Sequence, residues 1–392
     1  MRDVVIVSGK RTAIGNFLGA LKDFSAVDLG TIALKAAINS AGISPDTIEE
    51  VAAGHVYQAG CKGNPARQIT IGAGCPVETV SVTVNQQCPS AMRALEIISQ
   101  EIMLGKIDAG AAVGIESMSN VPYLLLKART GYRMGNGELV DGMLYDALID
   151  AFGNGHQGIT AENLAEMYNI SREEQDEWAF ISHQRACQAI KEGKFKDEIV
   201  PIEVKTKKET FLFDTDEHPN PDTTLESLAK LKPAFKKDGT VTAGNASSIN
   251  DAACAAVVMA HDKAVALGIK PLARIVATAS AAVEPRIMGI GVVPAVKRAL
   301  KFAGMSLDNV QLWEINEAFA AQFLACNREL KLDTEKLNVN GSGISLGHPV
   351  GCTGLRLVIT LINEMKRRNL RYGCAALCAG GGPAMATIIE VL

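Results

Sequence analysis

Short apolar runs alternate with amphipathic stretches through the first part of the chain. Val4–Val7 and Ala109–Ile115 are runs of small and β-branched residues, and Thr79–Asn85 alternates valine with polar residues. Asp28–Ala41 and Pro89–Leu104 carry apolar residues at the spacing of a helix that buries one face. Strands that alternate with helices are typical of a parallel sheet covered by helices, so the pattern predicts an α/β fold.

The last part of the chain repeats this plan. Its strand-like and helical segments follow in the order Ala273–Thr278, Pro294–Ala303, Gln311–Ile315, Leu355–Arg367 and Ala375–Leu377. In addition, Ala33–Asp46 aligns with Ala295–Asp308, and each copy has a glycine, Gly42 or Gly304, where a left-handed residue ends a helix. Any two helix ends share some of these residues, but the repeated order of elements favours two duplicated halves.

The segment between the halves has a different character. It contains Gly-rich turns, a charged helix Ser171–Lys191 that begins with a capping-box sequence, and a lysine-rich stretch. We therefore predict an N-terminal half (residues 1–118 with 250–268), an inserted binding domain (119–249) and a C-terminal half (269–392).

Composition excludes several classes of function. Lysine and arginine are spread along a chain of net charge −4, so no basic stripe predicts nucleic-acid binding. The longest nearly uninterrupted apolar run, Ala252–Ala260, is far shorter than the ~20 residues that span a bilayer. The N-terminus lacks the pattern of a signal peptide. We expect a cytoplasmic protein without a membrane partner.

Cys88 is the first candidate for chemistry among nine cysteines, which in such a chain are expected to be thiols and not disulfides. It stands between a predicted strand and a predicted helix, with Pro89 suited to the first helical position. A helix N-terminus stabilises a thiolate and lowers the pKa of the thiol. A buried, inert cysteine is an equally weighted alternative.

The C-terminal half supplies partners for such a thiol. A Gly-rich turn, Asn340–Gly354, carries His348, and a predicted strand ends at Cys378. The glycines from Gly380 onward leave backbone N–H groups unshielded, as an oxyanion hole requires. Asn316 ends a further strand, where a helix cap is the alternative role.

Two rival sites fit the sequence less well. His348, Cys352, Cys374 and Cys378 could bind zinc, but Pro349 interrupts the first pair, and the second pair lies over 12 Å apart on a strand at a rise of ~3.3 Å per residue. A dinucleotide loop at Gly341–Gly347 is weak, because the His-Pro-Val-Gly run interrupts the helix that should follow.

Four motifs together resemble the signature regions of the thiolases, which include acetyl-CoA acetyltransferases and 3-ketoacyl-CoA thiolases. They are Asn-Gln-Gln-Cys-Pro-Ser-Ala-Met-Arg around Cys88, Asn-Glu-Ala-Phe-Ala from Asn316, Gly-His-Pro-Val-Gly from Gly347 and Leu-Cys-Ala-Gly-Gly-Gly from Leu377. The resemblance covers the whole chain. It implies the thiolase fold, with duplicated βαβαβαββ halves in a five-layer αβαβα arrangement and an inserted, CoA-binding loop domain.

The resemblance also implies a role for each candidate. Cys88 matches the nucleophile that accepts the acyl group, and His348 matches the base that activates its thiol. Cys378 matches the second cysteine, which exchanges a proton with the α-carbon of acetyl-CoA. Asn316 matches the residue that holds a water which, with His348, stabilises the thioester enolate. The backbone N–H groups of Cys88 and Gly380 match the second oxyanion hole, which serves the tetrahedral intermediate.

The same resemblance implies acyl-CoA and CoA as partners, with CoA as substrate and product, no other cofactor and no metal. Positions that match the CoA and acyl pocket are Ser247, His156, Gln157, Leu148, Ser227, Phe235, Ala318, Phe319 and Met288, each of which could also be a core or cap residue. A homotetramer, a dimer of dimers, is expected, with Lys127–Leu144 resembling the tetramer-forming loop. The alternatives are a non-catalytic acyl-CoA or lipid carrier and a ketoacyl-synthase-type condensing enzyme, which lacks the second cysteine.

Several positions depart from the family pattern. Pro89 and Pro383 replace residues of the usual glycine-rich motifs, and Asn220 replaces an arginine often found against the adenine. Gln157 stands where a methionine usually faces the acyl pocket. The identity of the acyl group is therefore open to polar or differently shaped alternatives.

Overall fold

A computed structural model of the chain describes residues 2–392, in which strands and α-helices alternate. The strands are β1 (Val4–Thr12), β2 (Gly15–Asn16), β3 (Glu50–Gly54), β4 (Val80–Val84), β5 (Ala109–Ser117), β6 (Tyr123–Leu124), β7 (Val140–Asp141), β8 (Ile199–Val200), β9 (Ile202–Lys205), β10 (Thr210–Phe213), β11 (Asn250–Ala260), β12 (Ala273–Ala282), β13 (Leu312–Ile315), β14 (Tyr372–Cys378) and β15 (Pro383–Val391). The helices are α1 (Ala26–Ala41), α2 (Pro65–Gly72), α3 (Ser90–Met103), α4 (Gln157–Met167), α5 (Arg172–Lys191), α6 (Leu225–Ala229), α7 (His261–Ala266), α8 (Val292–Ala303), α9 (Ala320–Leu330), α10 (Gly343–Leu346) and α11 (Val350–Arg368).

The main sheet shows the duplication directly. Its path is β13-β14-β15-β12-β1-β11-β5-β3-β4, and the two halves meet where β1 pairs with β12. In the N-terminal half, β4, β3 and β5 run parallel and are followed by antiparallel β11 and β1. In the C-terminal half, β13 and β14 run parallel and are followed by antiparallel β15 and β12. A parallel bridge from Trp313 to Leu337 marks the position that corresponds to β4.

Helices fill three layers around the two halves of the sheet. Helices α3 and α11 pack against each other and bury their apolar faces against both halves, in one continuous core. Helices α1 and α2 cover the outer face of the N-terminal half, and α8 and α9 cover that of the C-terminal half. The predicted five-layer αβαβα arrangement is confirmed.

Glycines allow the central helices to approach their neighbours at backbone distance. A Cβ atom on Gly54 of β3 would lie 2.2 Å from the backbone nitrogen of Ala91 in α3. A Cβ atom on Gly354 of α11 would lie 2.9 Å from the backbone nitrogen of Met92. Since a backbone cannot rotate aside as a side chain can, glycine is required at both positions. The N-terminal ends of α3 and α11 are thereby held close together.

The repeated helix ends and the capping box have the predicted geometry. Gly42 and Gly304 end α1 and α8 in the left-handed conformation, with φ of 68° and 65°. Ser171 and Glu174 form the reciprocal hydrogen bonds of a capping box at the start of α5. Each feature depends on residues adjacent in sequence, which is why pattern alone could predict it.

Three helix starts differ from the sequence-based prediction. Helix α3 begins at Ser90, so Pro89 immediately precedes the helix. Helix α11 begins at Val350, five residues before the predicted Leu355, because Pro349 precedes its first turn and does not interrupt it. Helix α9 begins at Ala320, which leaves Asn316 in a loop and removes its alternative role as a cap.

The segment after β5 adds α4 to α6 and the two small antiparallel pairs β6–β7 and β9–β10. Its treatment as a separate inserted domain (119–249) stays a prediction, as do the boundaries of the two halves. Among the helices of residues 2–392, none is both long and apolar enough to cross a membrane.

Candidate active site

A tight turn between β4 and α3 presents Cys88. Gln87 adopts a left-handed conformation (φ 55°), which a non-glycine residue rarely does. The hydroxyl of Ser90 accepts the N–H of Gln86 (2.9 Å) and donates to the carbonyl of Gln87 (2.5 Å), so that one side chain closes the turn. Cys88 remains partly exposed and lines a mainly apolar cavity.

Hydrogen bonds fix both the position and the tautomer of His348. Its backbone N–H donates to Oδ1 of Asn250 (2.9 Å). Its Nδ1 lies 2.7 Å from Oγ1 of Thr353, and that hydroxyl donates its own hydrogen to the carbonyl of Pro349 (3.0 Å). With the hydroxyl hydrogen directed to Pro349, Thr353 accepts from Nδ1–H, and this is the tautomer that satisfies both contacts. The lone pair of Nε2 is then free to take a proton.

Asn316 lies against the other nitrogen of this ring. Its Nδ2 is 3.4 Å from Nε2 of His348, and its buried Oδ1 has no hydrogen-bond partner among the described residues. The loop that carries it is anchored by the next residue, Glu317, whose buried carboxylate accepts from Trp178, Ser182 and Asn338. The structure leaves this acceptor buried and unpaired beside the imidazole, and the water that the resemblance implies there stays a prediction.

The third element of the site is the turn that follows β14. Cys378, the last residue of β14, is buried, and the turn continues through Gly380 to Gly382. The backbone N–H groups of Gly380 and of Cys88 itself lie near the sulfur of Cys88 and act to lower its pKa. These are the two donors that the sequence analysis assigned to an oxyanion hole.

The titratable groups of the site are neutral at rest. Burial raises the pKa of the Cys88 thiol to about 11, and the two backbone N–H groups only partly oppose this. Burial, with a smaller contribution from the charge of Arg356, lowers the pKa of His348 to about 3. Burial also raises the pKa of Cys378 well above its usual range, and ionisation of Cys88 would raise it further. The expectation of a lowered Cys88 pKa is therefore wrong, because desolvation outweighs the helix N-terminus.

Most of the predicted pocket residues surround one cavity of about 200 Å³. Its walls include Cys88, His348, Gly380, Ser247, His156, Gln157, Leu148, Phe235, Ala318, Phe319 and Met288. His156 stacks on Phe235 with ring centroids 4.6 Å apart, and Phe235 meets the edge of Phe319. Cys378 and Asn316 are not part of the wall and are fully buried behind it.

Ser227 lies apart from these residues, in a second cleft that also contains Asn220, His183 and His218. Its side chain takes part in the capping box that begins α6, where its hydroxyl donates to the carbonyl of Thr224 (2.8 Å). The structure therefore gives Ser227 a local role, and its predicted place near the nucleotide stays a prediction.

Sequence reasoning did not identify several residues of the site. Those that line the cavity are Gln87, Met118, Ala147, Ser248, Ile249 and Val350, and those that position His348 are Thr353 and Asn250. Thr353 and Val350 lie within the Gly-rich motif, so motif membership was an available signal. Ala147 and Met118 carry no local signal, because folding alone brings them to the wall.

The chain is similar to known protein families, to relatives of full length and to solved structures. The family model described as "Thiolase, N-terminal domain" matches residues 4–262, and "Thiolase, C-terminal domain" matches residues 269–391. The acetyl-CoA acetyltransferase of Pseudomonas aeruginosa is 51% identical over 387 residues, with 98% of each chain covered. The acetyl-CoA acetyltransferase of Syntrophomonas wolfei has a solved structure that superposes with a TM-score of 0.98 at 48% identity, over 100% of both chains. Human mitochondrial 3-ketoacyl-CoA thiolase in complex with CoA superposes with a TM-score of 0.96 at 43% identity, covering 100% of this chain and 98% of the human one.

The cavity of this duplicated α/β fold is lined by Cys88, His348 and Gly380, with Cys378 buried behind its wall, and the full-length relatives are acyltransferases, which defines the chain as an enzyme that transfers acyl groups. The chain belongs to the thiolase family, as the family models and the full-length relatives show. The comparisons do not favour the alternatives of a non-catalytic carrier or a ketoacyl-synthase-type enzyme.

The neutral resting site predicts how Cys88 responds to pH. Because only the thiolate is alkylated and burial raises the pKa of Cys88 to about 11, the rate of carboxamidomethylation by iodoacetamide should rise about tenfold per pH unit up to pH ~9 without a plateau. The measurement is the initial rate for the Cys88 peptide by mass spectrometry between pH 6 and about 9.5, with free cysteine as the reference. A rate that is already constant below pH ~7 would show a thiolate–imidazolium pair and contradict this assignment.

Proposed function

We propose that this enzyme cleaves 3-ketoacyl-CoA with CoA, and runs the reverse Claisen condensation, through an acyl group carried on Cys88. The observation that carries the proposal is the hydrogen-bond chain from Pro349 through Thr353 to His348, because it leaves Nε2 unprotonated in the cavity that Cys88 lines. A covalent acyl carrier splits one difficult carbon–carbon cleavage into two easier steps.

In the first half of the reaction, Nε2 of His348 takes the thiol proton as the Cys88 sulfur attacks the 3-keto carbonyl. The N–H groups of Cys88 and Gly380, which lie near this sulfur, would receive the developing oxyanion. The bond between the α-carbon and the 3-keto carbon then breaks, and the Cys378 thiol protonates the α-carbon. The products are acetyl-CoA and acyl-Cys88, and the proton on His348 returns to the Cys378 thiolate.

In the second half, CoA thiol gives its proton to His348 and attacks the acyl-Cys88 thioester. Cys88 leaves, regains a proton from the imidazolium, and a shortened acyl-CoA is released. Condensation is the same sequence in reverse, with Cys378 removing the α-proton of acetyl-CoA. The Asn316 side chain, through a bound water, and His348 would stabilise the enolate oxygen of that step. The raised pKa of Cys378 suits this role, since its thiolate is then a strong base.

The apolar cavity supports binding of the acyl group and the pantetheine of CoA. His156 stacked on Phe235 and the edge-on contact of Phe235 with Phe319 form an aromatic wall. The backbone N–H of Ser247 donates to the carbonyl of Ala318 (2.9 Å). Ser227 and Asn220 line the separate cleft to which we assign the nucleotide end. The human relative solved with CoA supports CoA as the partner. We further propose a cytoplasmic enzyme of fatty-acid metabolism with no cofactor besides CoA.

Replacement of Cys88 and replacement of Cys378 should impair different sets of reactions. Cys378→Ala should lower acetoacetyl-CoA thiolysis by about 10²- to 10⁴-fold, because it removes the general acid for the α-carbon. The variant should still exchange labelled CoA into acetyl-CoA, since that half-reaction moves no proton at carbon. Cys88→Ala should lose both activities.

Cys374→Ala is the matched control, because Cys374 is a buried thiol of the same strand that the proposed reaction does not use. It should retain both activities. Loss of exchange in Cys378→Ala, with the fold intact by circular dichroism, would contradict the separate roles of the two thiols.

We propose that the protein forms a homotetramer, a dimer of dimers. Strand β4 is a free edge of the main sheet, with Val80 exposed, and offers unpaired backbone groups to a second copy. In the segment Lys127–Leu144, Met134 is 95% exposed and Leu139 is 61% exposed. Exposed apolar side chains of this kind are typical of a surface that contacts another subunit.

Light scattering tests this assembly. The expected mass at micromolar concentration is four times the 41.5 kDa of the chain. Met134→Asp combined with Leu139→Asp should reduce it to a dimer, because charges would be buried at the contact. A monomer for the unaltered protein would contradict the proposal.

A further inference from the structure

A lysine-rich segment lies between the catalytic cavity and the second cleft. Residues 230–237, which we call the lysine segment, read Lys-Leu-Lys-Pro-Ala-Phe-Lys-Lys and include no acidic residue. The segment follows α6 directly. Its Leu231 lines the cleft that contains Ser227, and its Phe235 lines the cavity that contains Cys88. The lysine segment therefore runs from the proposed nucleotide cleft to the catalytic cavity.

The charges of this segment are exposed and mostly uncompensated. All four of its lysines are exposed to solvent. Lys236 forms an ion pair with Glu166 of α4, whereas the acidic residues nearest in sequence, Glu226 and Asp238, form no ion pair with the segment. Three lysines have no carboxylate within ion-pair distance in the part of the chain that the structure describes, namely Lys230, Lys232 and Lys237. The segment therefore presents a positive surface between the two clefts.

This local charge has the opposite sign to that of the whole chain, whose net charge is −4. CoA carries a diphosphate and a further phosphate on its ribose, so the mean field of the protein repels it, and a local positive surface is needed to attract it. At physiological ionic strength the Debye length is about 8 Å, so only charges close to the path of the phosphates act on them. The lysine segment is in such a place, because it borders the cleft assigned to the nucleotide.

We propose that the lysine segment attracts the phosphate groups of CoA thioesters and guides the nucleotide into the second cleft, so that it selects CoA esters over uncharged pantetheine esters. This inference rests on the proposed function of the site. Electrostatic guidance acts before contact and needs no fixed geometry, which is why exposed lysines on flexible stems suit it. Such guidance raises association rates by about 10- to 1000-fold and weakens steeply as salt is added.

The test removes the three unpaired charges together, by combining Lys230→Gln, Lys232→Gln and Lys237→Gln. At an ionic strength of ~20 mM, kcat/KM for thiolysis of acetoacetyl-CoA should fall roughly tenfold, because the phosphates are no longer attracted. At ~300 mM the loss should shrink to about twofold, because salt screens the same charges in the unaltered enzyme. For acetoacetyl-pantetheine, which has no phosphate, kcat/KM should stay within about twofold under both conditions. The value of kcat should not change, since none of the three lysines takes part in the proposed reaction.

The matched control combines Lys270→Gln, Lys297→Gln and Lys301→Gln, because it removes the same number of charges from exposed lysines of the C-terminal half. It should leave the ratio of kcat/KM for acetoacetyl-CoA to that for acetoacetyl-pantetheine within about twofold of the unaltered enzyme. An unchanged ratio in the lysine-segment variant, or an equal fall in the control, would overturn the role of the segment and leave the thiolase reaction intact. Failure of the unaltered, folded enzyme to cleave either ester would overturn the proposed function, and this inference with it.

Discussion

The contact of α3 and α11 through glycine is the constraint on which the rest of the structure depends. With no side chain between backbone and backbone, the two central helices can lie side by side between the halves of the sheet. Cys88 precedes the first of these helices and His348 precedes the second, so one contact joins residues from both halves at one cavity. The buried carboxylate of Glu116 strengthens the junction, since it accepts the N–H of Gly351 (2.8 Å) and those of Val56 and Tyr57.

The burial of the site also sets the protonation states of its residues. Burial makes both thiols and the imidazole more stable in their uncharged forms at neutral pH. Fixed polar groups of the protein supply the stabilisation that water would give. Thr353 accepts from Nδ1–H of His348, and the N–H groups of Cys88 and Gly380 can stabilise an anion. Such donors stabilise developing charge without reorganisation, which makes a dry site compatible with carbanion chemistry.

Features that depend on residues adjacent in sequence were predictable, and features that depend on long-range packing were not. The left-handed glycines at Gly42 and Gly304, the capping box at Ser171 and the alternating strands depend on local geometry. The repeat implied two halves, but the strand order and the pairing of β1 with β12 arise from long-range packing. The pKa of Cys88 was predicted in the wrong direction, because sequence shows a helix N-terminus and conceals burial. Gln157 was visible as a departure, while the Ala147 carbonyl that orients it was not.

The central claim is that the acyl group travels on Cys88. The most direct measurement mixes the enzyme with excess acetoacetyl-CoA in the absence of free CoA, quenches with acid within milliseconds to seconds, and locates the modification by peptide mass spectrometry. The account predicts one acetyl group per chain on the peptide that contains Cys88, formed together with one equivalent of acetyl-CoA and removed when CoA is added. Acetylation of Cys378 in its place, or full turnover with an unmodified Cys88 peptide at every time, would contradict it.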